Sequence, residues 1–411
     1  MPIESIDISP IHWEMLWENL SESGSHCFRS DREGDSYWRQ FQAINPMKTF
    51  ILDDISELAL LQNFLQENAD KLCAGFFSYD LGLMLHKVKS RHARALPLAV
   101  FHAFDEWLEF ANGVLKIDSQ NDEYIVRVKE ILQGSEIPQA VRTTLQFETP
   151  LQPSKYASQI DRIHDYIRAG DFYQINYTQM LESQTVFASR SLYSRLLQKH
   201  PASYACHFAY DDVAIHSLSP ELFLHYSEGR LTTEPIKGTR PRGLTPEDDK
   251  RRMEELLESQ KEQAELYMIT DLLRNDLGAV CAVGSVELEA VKELRKLPKV
   301  WHTFSRISGN LQTDIQPFQA LISMLPGGSI TGCPKKRALE VIDELELCSR
   351  GIYTGALGYY HPDGNSCFNI AIRTLIQRGT QLRLGSGGGI TIDSNWEDEW
   401  DELRVKASTF E

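Results

Sequence analysis

The sequence predicts an α+β protein in which large, mostly antiparallel β-sheets pack together and are covered by helices. Strand-like segments follow one another across tight turns: residues 204–217 form one predicted hairpin around Asp211-Asp212, and residues 222–237 form another at Glu228-Gly229. Helical patterns stand between groups of strands, which favours antiparallel sheets over a parallel one. No glycine-rich loop joins a strand to a helix in the order that Rossmann or P-loop sites require.

Length and a proline-containing segment divide the chain into two predicted parts. A chain of 411 residues is too long for one ordinary core, so two domains or one large two-lobed unit are expected. The polar stretch Gln133–Pro153 contains three prolines and is the candidate boundary. Residues 1–135 are predicted as an N-terminal α/β region, either separate or interleaved with the sheet of residues 150–411.

The second part has regular helix and strand patterns. Its first helix is predicted from the apolar face that includes Tyr156 and Ile160, and it closes at Gly170. Residues 172–180 alternate in character and predict a strand that carries Gln174. Further strands are predicted near 285–291, 299–308, 353–360, 367–376 and 381–385, and further helices over 261–276, 333–346 and 394–408.

Charge and cysteine content exclude several classes of protein. The net charge of −16 disfavours nucleic acid and anionic membrane as partners, so an anionic substrate needs a local positive site. The longest apolar runs, such as 96–101, are too short to span a bilayer. The N-terminus lacks the basic and apolar regions of a signal peptide, and the seven cysteines are scattered without a CxxC spacing. A cytoplasmic protein with reduced thiols is expected.

A first group of candidate site residues lies in the segment 219–243. Glu221 stands just before a predicted strand and Lys237 at the end of the next one, where side chains can enter a cleft. Gly238 permits a close backbone approach to a ligand, and Thr239 adds a hydroxyl. Taken alone, the Lys-Gly-Thr sequence favours a hairpin with a solvated lysine.

Two predicted helices carry carboxylates that suit a hard cation. Glu265 falls on the apolar stripe of helix 261–276, with Glu262 one turn earlier, and a buried carboxylate is costly unless it is paired or bound to a metal. In helix 394–408, which Ser394 is predicted to cap, one face carries Glu399, Glu402 and Lys406. Oxygen ligands of this kind favour Mg²⁺. The alternative for both helices is a solvated acidic face.

Three smaller features complete the set. His302 alternates with apolar residues on a predicted strand, so a core histidine is the default interpretation. Arg373 shares a strand face with small residues, and an inward arginine needs an anionic partner. The run Gly385–Gly389 is a mobile turn by default, although its backbone N–H groups can form a nest for an anion.

These stretches together resemble the chorismate-utilising enzymes, a family that includes anthranilate synthase component I, aminodeoxychorismate synthase component I and the isochorismate and salicylate synthases. The resemblance runs from about Ser154 to the C-terminus and rests on motifs in family order. They are DFYQINYTQ, SPELF, PIKGTRPRG, AELYMITDLLRNDLG, GGSITGCPK, RGIYTGALGYY, FNIAIRT, GSGGGI and EDEWDE. It implies the anthranilate synthase component I-like fold and makes residues 150–411 the chorismate-binding catalytic domain.

Two positions place the chain within that family. Gln174 stands where the isochorismate and salicylate branch has a water-activating lysine, which disfavours attack by water. Lys237 stands where anthranilate synthases usually have alanine, and so resembles aminodeoxychorismate synthase component I. The resemblance then implies amination of chorismate at C4 through a lysine adduct at C2, with an uncharged Lys237 as nucleophile and Glu221 as proton donor.

The remaining roles are also implied by the resemblance. Glu265 and Glu402 match the Mg²⁺ ligands, with Glu399 and Glu262 beside them. His302 matches a histidine near the reacting ring. The grip on the substrate is matched by Gln174, Gly238, Thr239, Tyr353, Arg373, Gly387, Gly388, Gly389 and Lys406.

The sequence also implies a partner and leaves alternatives open. No Gly-x-Cys-x-Gly nucleophile loop of a glutamine amidotransferase occurs, so a separate amidotransferase subunit is expected to supply ammonia. The product is expected to lead to 4-aminobenzoate and folate. The main alternative is anthranilate synthase component I, a lyase. An isochorismate synthase and a non-catalytic chorismate-binding regulator are less favoured.

Overall fold

The computed structural model describes residues 4–20, 26–31, 37–134, 145–297, 299–408 and 410. The strands are β1 (Glu4–Asp7), β2 (His26–Arg29), β3 (Gln40–Ala43), β4 (Lys48–Leu52), β5 (Leu72–Phe77), β6 (Ala99–Phe104), β7 (Trp107–Ala111), β8 (Val114–Asp118), β9 (Gln174–Gln184), β10 (Tyr204–Tyr210), β11 (Val213–Ser219), β12 (Leu222–Ser227), β13 (Arg230–Glu234), β14 (Ile236–Pro241), β15 (Glu287–Lys296), β16 (Val300–Asn310), β17 (Gly332–Cys333), β18 (Ala356–Tyr360), β19 (Ser366–Ile370), β20 (Thr374–Arg378) and β21 (Gln381–Ile390). The helices are α1 (Pro10–Asn19), α2 (Leu58–Glu67), α3 (Tyr79–Leu85), α4 (Asp122–Gly134), α5 (Pro153–Arg168), α6 (Ser189–Lys199), α7 (Pro246–Glu258), α8 (Gln260–Gly278), α9 (Pro317–Met324), α10 (Lys335–Leu345) and α11 (Trp396–Ser408).

Two large antiparallel sheets form the frame of the molecule. The first sheet has the strand order β1-β8-β7-β3-β2-β10-β11-β20-β21-β9-β17, and the second has the order β14-β16-β13-β12-β19-β18-β5-β6-β4, with β15 paired to β16. Side chains between the sheets form a dense aromatic core, in which the Phe28 and Phe41 rings stack at 4.2 Å and Tyr359 meets both edge-on. The predicted α+β class with packed antiparallel sheets and covering helices is confirmed.

Strands from the first 118 residues enter both sheets. In the first sheet β2 pairs with β10, and in the second β5 pairs with β18. Gly75 of β5 lies so close to Phe101 of β6 that any larger side chain would overlap that ring. Residues 135–144 of the candidate boundary lie outside the described residues, and the division into two parts stays a prediction.

Several predicted elements differ from the observed ones. Residues 74–82 have the composition of a strand, but β5 ends at Phe77 and α3 follows it. The predicted strand 367–376 is two strands, β19 and β20, separated at Arg373, whose φ of 48° is left-handed. The run Gly385–Gly389 is not a turn but part of β21, because its glycines let that strand pair closely with β9 along its whole length.

Membrane-crossing segments were sought among the helices of the described ranges. None of them combines the length and the apolar character that a bilayer span needs.

Candidate functional site

The predicted lysine segment lies on β14, at the edge of the second sheet beside α8. Thr239 stands opposite His302 of β16, and the pairing shifts register between Lys237 and Thr239. Gly238 produces this shift with a φ of 74°. A side chain at Gly238 would overlap the Glu262 carboxylate of α8, so glycine is required there both by conformation and by space. Gly238 therefore lets β14 lie close against α8, the helix that carries the predicted metal ligands Glu262 and Glu265.

Lys237 points towards the carboxylates. Its Nζ lies 3.8 Å from Glu265 Oε2, and both side chains are about four-fifths covered, with relative exposures of 18% and 20%. The Thr303 hydroxyl donates to the main-chain carbonyl of Lys237, which fixes the lysine's backbone. The electrostatic influence of Lys237 also extends to Glu221 and Glu402, lowering the pKa of each. Lys237 thus lies within electrostatic reach of three acidic groups of the site, Glu221, Glu265 and Glu402.

Glu221 is the buried carboxyl of the site. It immediately precedes β12, is 5% exposed, and accepts a hydrogen bond of 2.7 Å from the Ser329 hydroxyl. Burial raises its pKa from 4.5 to about 7, although the Ser329 bond and Lys237 act in the opposite direction. A carboxyl with this pKa is partly protonated near neutral pH and can donate a proton.

The carboxylates of α11 lie against β21. A side chain on Gly388 would stand 3.1 Å from Glu399 Oε2 and 3.7 Å from both Glu402 Oε1 and Lys406 Nζ. Burial raises the pKa of Glu399, and the neighbouring Glu402 adds to the rise. Burial alone would also raise the pKa of Glu402, but Lys406, whose Nζ is 2.6 Å from Glu402 Oε1, reverses the direction. Lys406 also donates to the Gly387 carbonyl at 2.8 Å.

Ser394 acts differently from the prediction. The helix begins one residue later than a Ser394 cap implies, and the side chain of Asn395 accepts from the Glu397 N–H instead. The Ser394 hydroxyl donates to Glu399 Oε1 at 2.8 Å. The prediction of Ser394 as the helix cap is therefore wrong, because its hydroxyl satisfies a buried carboxylate that the local sequence pattern does not reveal.

The donor set suits a hard cation, although the carboxylates do not converge on one point. Within the described part of the chain no group of three or more His, Cys, Asp or Glu residues stands ready to hold a metal. Glu262 receives Arg240 at 2.7 Å on one oxygen, while its other oxygen is buried and has no hydrogen-bond partner within the described ranges. Unused oxygen capacity of this kind fits Mg²⁺. Glu265 and Glu402, with Glu262 and Glu399, are the residues that would hold it.

Gln174 and Tyr353 pack against β21, the glycine strand, which contains the run Gly385–Gly389. The Gln174 side chain lies where a Cβ on Gly389 would be, and the Tyr353 ring covers Gly385 in the same way. Gln174 is 4% exposed and its Oε1 has no hydrogen-bond partner among the described residues. A buried amide oxygen left unpaired is an acceptor available to a ligand.

His302 and Arg373 share the lining of one cavity with Lys299. Burial, and secondarily Arg373, lowers the pKa of His302 to about 4, so the ring is neutral at pH 7. Its Nδ1 lies 2.9 Å from the Thr239 hydroxyl, and its Nε2 is buried without a partner in the described part. Burial lowers the pKa of Arg373, and no charged group in the described ranges counters this effect. The cavity therefore combines the guanidinium of Arg373 and the ammonium of Lys299 with one carboxylate, that of Asp31.

Most of the predicted site residues thus fall into connected groups. Lys237 links Glu221, Glu265 and Glu402, the glycine strand touches Gln174, Tyr353, Glu399 and Lys406, and His302 joins Thr239 to Arg373. Their chemical roles stay predictions.

Two contributing residues were missed by sequence reasoning. Ser329, which bonds Glu221, appears in the sequence analysis only as part of the motif GGSITGCPK, with no role of its own. Arg350 was overlooked, because an arginine after a helix normally predicts a solvated end.

Comparison with known proteins gives the family of the chain. The profile of the chorismate binding enzyme family matches residues 25–411. The chain is 38% identical over 260 residues to anthranilate synthase component 1 1 of Haloarcula marismortui, covering 63% of this chain and 53% of that one. It is 33% identical over 392 residues to the chloroplastic aminodeoxychorismate synthase of Arabidopsis thaliana, covering 87% of this chain and 42% of that one. The chain therefore spans about half the length of these two relatives.

A solved structure shows the same architecture over the whole chain. Anthranilate synthase component I from Streptococcus pneumoniae superposes with a TM-score of 0.82 at 25% identity, covering 100% of this chain and 99% of the other. The predicted anthranilate synthase component I-like fold is therefore confirmed. The match of the family profile to nearly the full sequence assigns membership directly: this chain belongs to the family of chorismate binding enzymes.

Proposed function

We propose that the chain is the chorismate-aminating subunit of a cytoplasmic aminodeoxychorismate synthase. In this proposal it replaces the 4-hydroxyl of chorismate with an amino group in an Mg²⁺-dependent reaction. Ammonia comes from a glutamine amidotransferase partner, and the product serves 4-aminobenzoate and folate synthesis. The observation that carries the proposal is the position of Lys237, partly buried beside Glu265 and within electrostatic reach of the proton donor Glu221.

The proposed reaction consists of two successive displacements with shift of the ring double bond. The uncharged Nζ of Lys237 attacks C2, the double bond moves, and the C4–O bond breaks. Glu221 gives its proton to the departing hydroxyl, which leaves as water. Ammonia then attacks C4, the double bond returns, and the C2–N bond to Lys237 breaks. The surplus proton of the entering ammonia restores Glu221, so chorismate and ammonia give 4-amino-4-deoxychorismate and water.

The residues around the ring have supporting roles in this proposal. Arg373 and Lys406 bind the carboxylates of the substrate, and Thr239 with the neutral His302 lines the reacting face. Glu265 and Glu402, assisted by Glu262 and Glu399, would hold Mg²⁺, which when bound neutralises a substrate carboxylate among the glutamates.

Product analysis of the Lys237→Ala variant tests the proposal. The purified chain is incubated with chorismate, ammonium and Mg²⁺, and the products are separated and identified by mass spectrometry. The wild type is expected to give 4-amino-4-deoxychorismate, and Lys237→Ala is expected to lose this product while it still binds chorismate. Lys237→Arg is the matched control, because it keeps the charge and length but is a far weaker nucleophile. Unchanged formation of the product in Lys237→Ala would eliminate the lysine adduct.

The second candidate function is that of anthranilate synthase component I. It is supported by similarity, since the relatives of comparable identity include both kinds of synthase. It predicts release of pyruvate and a fluorescent product from the same incubation. Fluorescent anthranilate without any 4-amino-4-deoxychorismate would establish this alternative. Water as the nucleophile is less favoured, because the uncharged Gln174 stands in place of the branch's base.

The source of ammonia is tested separately from the product. The pure chain is expected to work with ammonium and to need an added amidotransferase subunit when glutamine replaces ammonium. Full turnover with glutamine by the chain alone would contradict the proposed partner.

A further inference from the structure

A buried ion pair lies behind the candidate site. Arg350 is 1% exposed, and Glu346, which follows the last residue of α10, is 6% exposed. Arg350 Nη2 donates to Glu346 Oε1 at 2.7 Å, and Nε donates to Glu346 Oε2 at 2.9 Å. The guanidinium also lies over the Tyr79 ring, 4.6 Å from its centre. Two charges removed from water in this way are costly, and neutralisation alone does not explain why they are retained.

The other N–H groups of Arg350 bond to three separate segments. Nη1 donates to the Ile330 carbonyl at 3.0 Å and to the Thr354 hydroxyl at 3.2 Å, and Nη2 donates to the Asn176 carbonyl at 2.7 Å. Every N–H of the guanidinium fork therefore has an acceptor. Glu346 Oε1 extends the network, because it accepts from the backbone N–H and the hydroxyl of Thr178 at 2.9 and 2.8 Å.

Each of these segments carries a residue of the candidate site. Ile330 follows Ser329, whose hydroxyl is bonded to Glu221. Asn176 and Thr178 lie on β9, the strand that begins with Gln174. Thr354 follows Tyr353, which covers the glycine strand. The Arg350 side chain thus links the turn that carries Ser329, the partner of Glu221, to the segments that carry Gln174 and Tyr353.

We propose that the Arg350–Glu346 pair is a positioning element for the reaction, which holds the turn 328–330, the start of β9 and the Tyr353 segment in register. Lysine cannot replace it, because an ammonium has fewer donors and no planar fork to reach all three segments. The effect is expected on the chemical step, since a displacement of about 1 Å at a reacting group can cost on the order of 100-fold in rate. The proposal rests on the proposed function only in that the site converts chorismate.

An apolar double variant separates positioning from mere stability. Replacing a buried ion pair by apolar residues of similar size is often neutral or stabilising, so Arg350→Met/Glu346→Leu is expected to fold. Turnover is followed as loss of chorismate with saturating ammonium and Mg²⁺. The variant is expected to keep KM within about 3-fold while kcat falls by on the order of 100-fold. The control is Lys129→Met/Glu4→Leu, which removes an ion pair between α4 and β1, outside the residues assigned to the site, and should leave kcat unchanged.

The pH profile adds a readout that a structural role would not move. Displacement of the turn 328–330 removes the hydrogen bond from Ser329 that lowers the pKa of Glu221. The alkaline limb of kcat/KM should therefore shift to higher pH in the double variant. A folded double variant with the kcat and pH profile of the wild type would overturn the proposal. If the double variant does not fold, Thr354→Val decides. Its kcat is expected to fall several-fold and to recover in Thr354→Ser, and an unchanged kcat would overturn the proposal equally.

Failure of the proposed function gives a different result. If the wild type produces anthranilate, the aminodeoxychorismate assignment is lost, but the comparison of chorismate consumption between variants still tests the positioning role.

Discussion

Replacement of Glu221 by glutamine should stabilise the folded protein at alkaline pH while it abolishes turnover. Glu221 is buried, and its pKa in the folded protein is about 7 instead of 4.5. The folded state therefore binds a proton that the unfolded state has released between these two pH values, so this group's contribution to stability declines as the pH rises from about 4.5 towards 7. Glutamine keeps an oxygen that can accept from Ser329 and carries no charge to desolvate.

The size of the effect on stability follows from the shift in the pKa of Glu221. A rise from 4.5 to about 7 corresponds to about 3 kcal/mol of lost stability once Glu221 is fully ionised. Below pH 4.5 both states hold the proton and the penalty is absent. Glu221→Gln is thus expected to gain on the order of 3 kcal/mol relative to the wild type at pH 8.5 and almost nothing at pH 4.5.

Urea unfolding of the ligand-free protein at these two pH values measures the difference. Tryptophan fluorescence gives the free energy of unfolding for both proteins, and turnover of chorismate is measured in parallel. The matched control is Glu109→Gln, which changes a carboxylate of β7 in the first sheet. A stability difference that is equal at both pH values would refute the reasoning, because it would mean that ionisation of Glu221 costs nothing in the fold.

Other substitutions give further expected outcomes. Ser329→Ala removes a hydrogen bond to the charged form of Glu221, which is worth roughly 1.5–3 kcal/mol. The alkaline limb of kcat/KM should therefore move to higher pH by roughly 1–2 pH units. An unchanged limb would show that this bond does not influence the pKa of Glu221. Glu402→Gln should raise the Mg²⁺ concentration needed for half-maximal turnover, as measured by titration, and an unchanged titration would remove Glu402 from the proposed metal set. Gly238→Ala should lower the Tm, because it forces a side chain at positive φ into the Glu262 carboxylate, and a Tm equal to the wild type would contradict that contact.

Local patterns in the sequence predicted the fold well. Alternation over 172–180 and the turn signals near Asp211 and Glu228 correspond to β9 and to the hairpins β10–β11 and β12–β13. The two hairpins have tight turns, which the neighbouring residues determine. β9 is buried on both faces over most of its length, so its alternation predicts the strand but not which residues are covered. The family motifs added the packing of the two sheets, which no local pattern contains.

Features that depend on distant contacts were not predictable in the same way. The glycine run has the composition of a loop, and only its pairing with β9 makes it a strand. The break at Arg373 and the bond from Ser394 to Glu399 likewise arise from buried partners rather than from local preference. Arg350 is the extreme case, because two of its acceptors, the carbonyls of Asn176 and Ile330, come from segments that the sequence gives no reason to bring together.

The protonation states around the site favour an amine over water as the nucleophile. A base that activates water must accept a proton near neutral pH. His302, with a pKa of about 4, is too weak for this, and Gln174 cannot accept a proton at all. Glu221, with a pKa of about 7, is the group that can exchange a proton, and departure of the 4-hydroxyl already requires that proton. Ammonia needs no base before it attacks, and Lys237 has only its own proton to lose, for which the Glu265 carboxylate lies 3.8 Å away. A site with a proton donor and no base at the position of Gln174 therefore supports amination over attack by water.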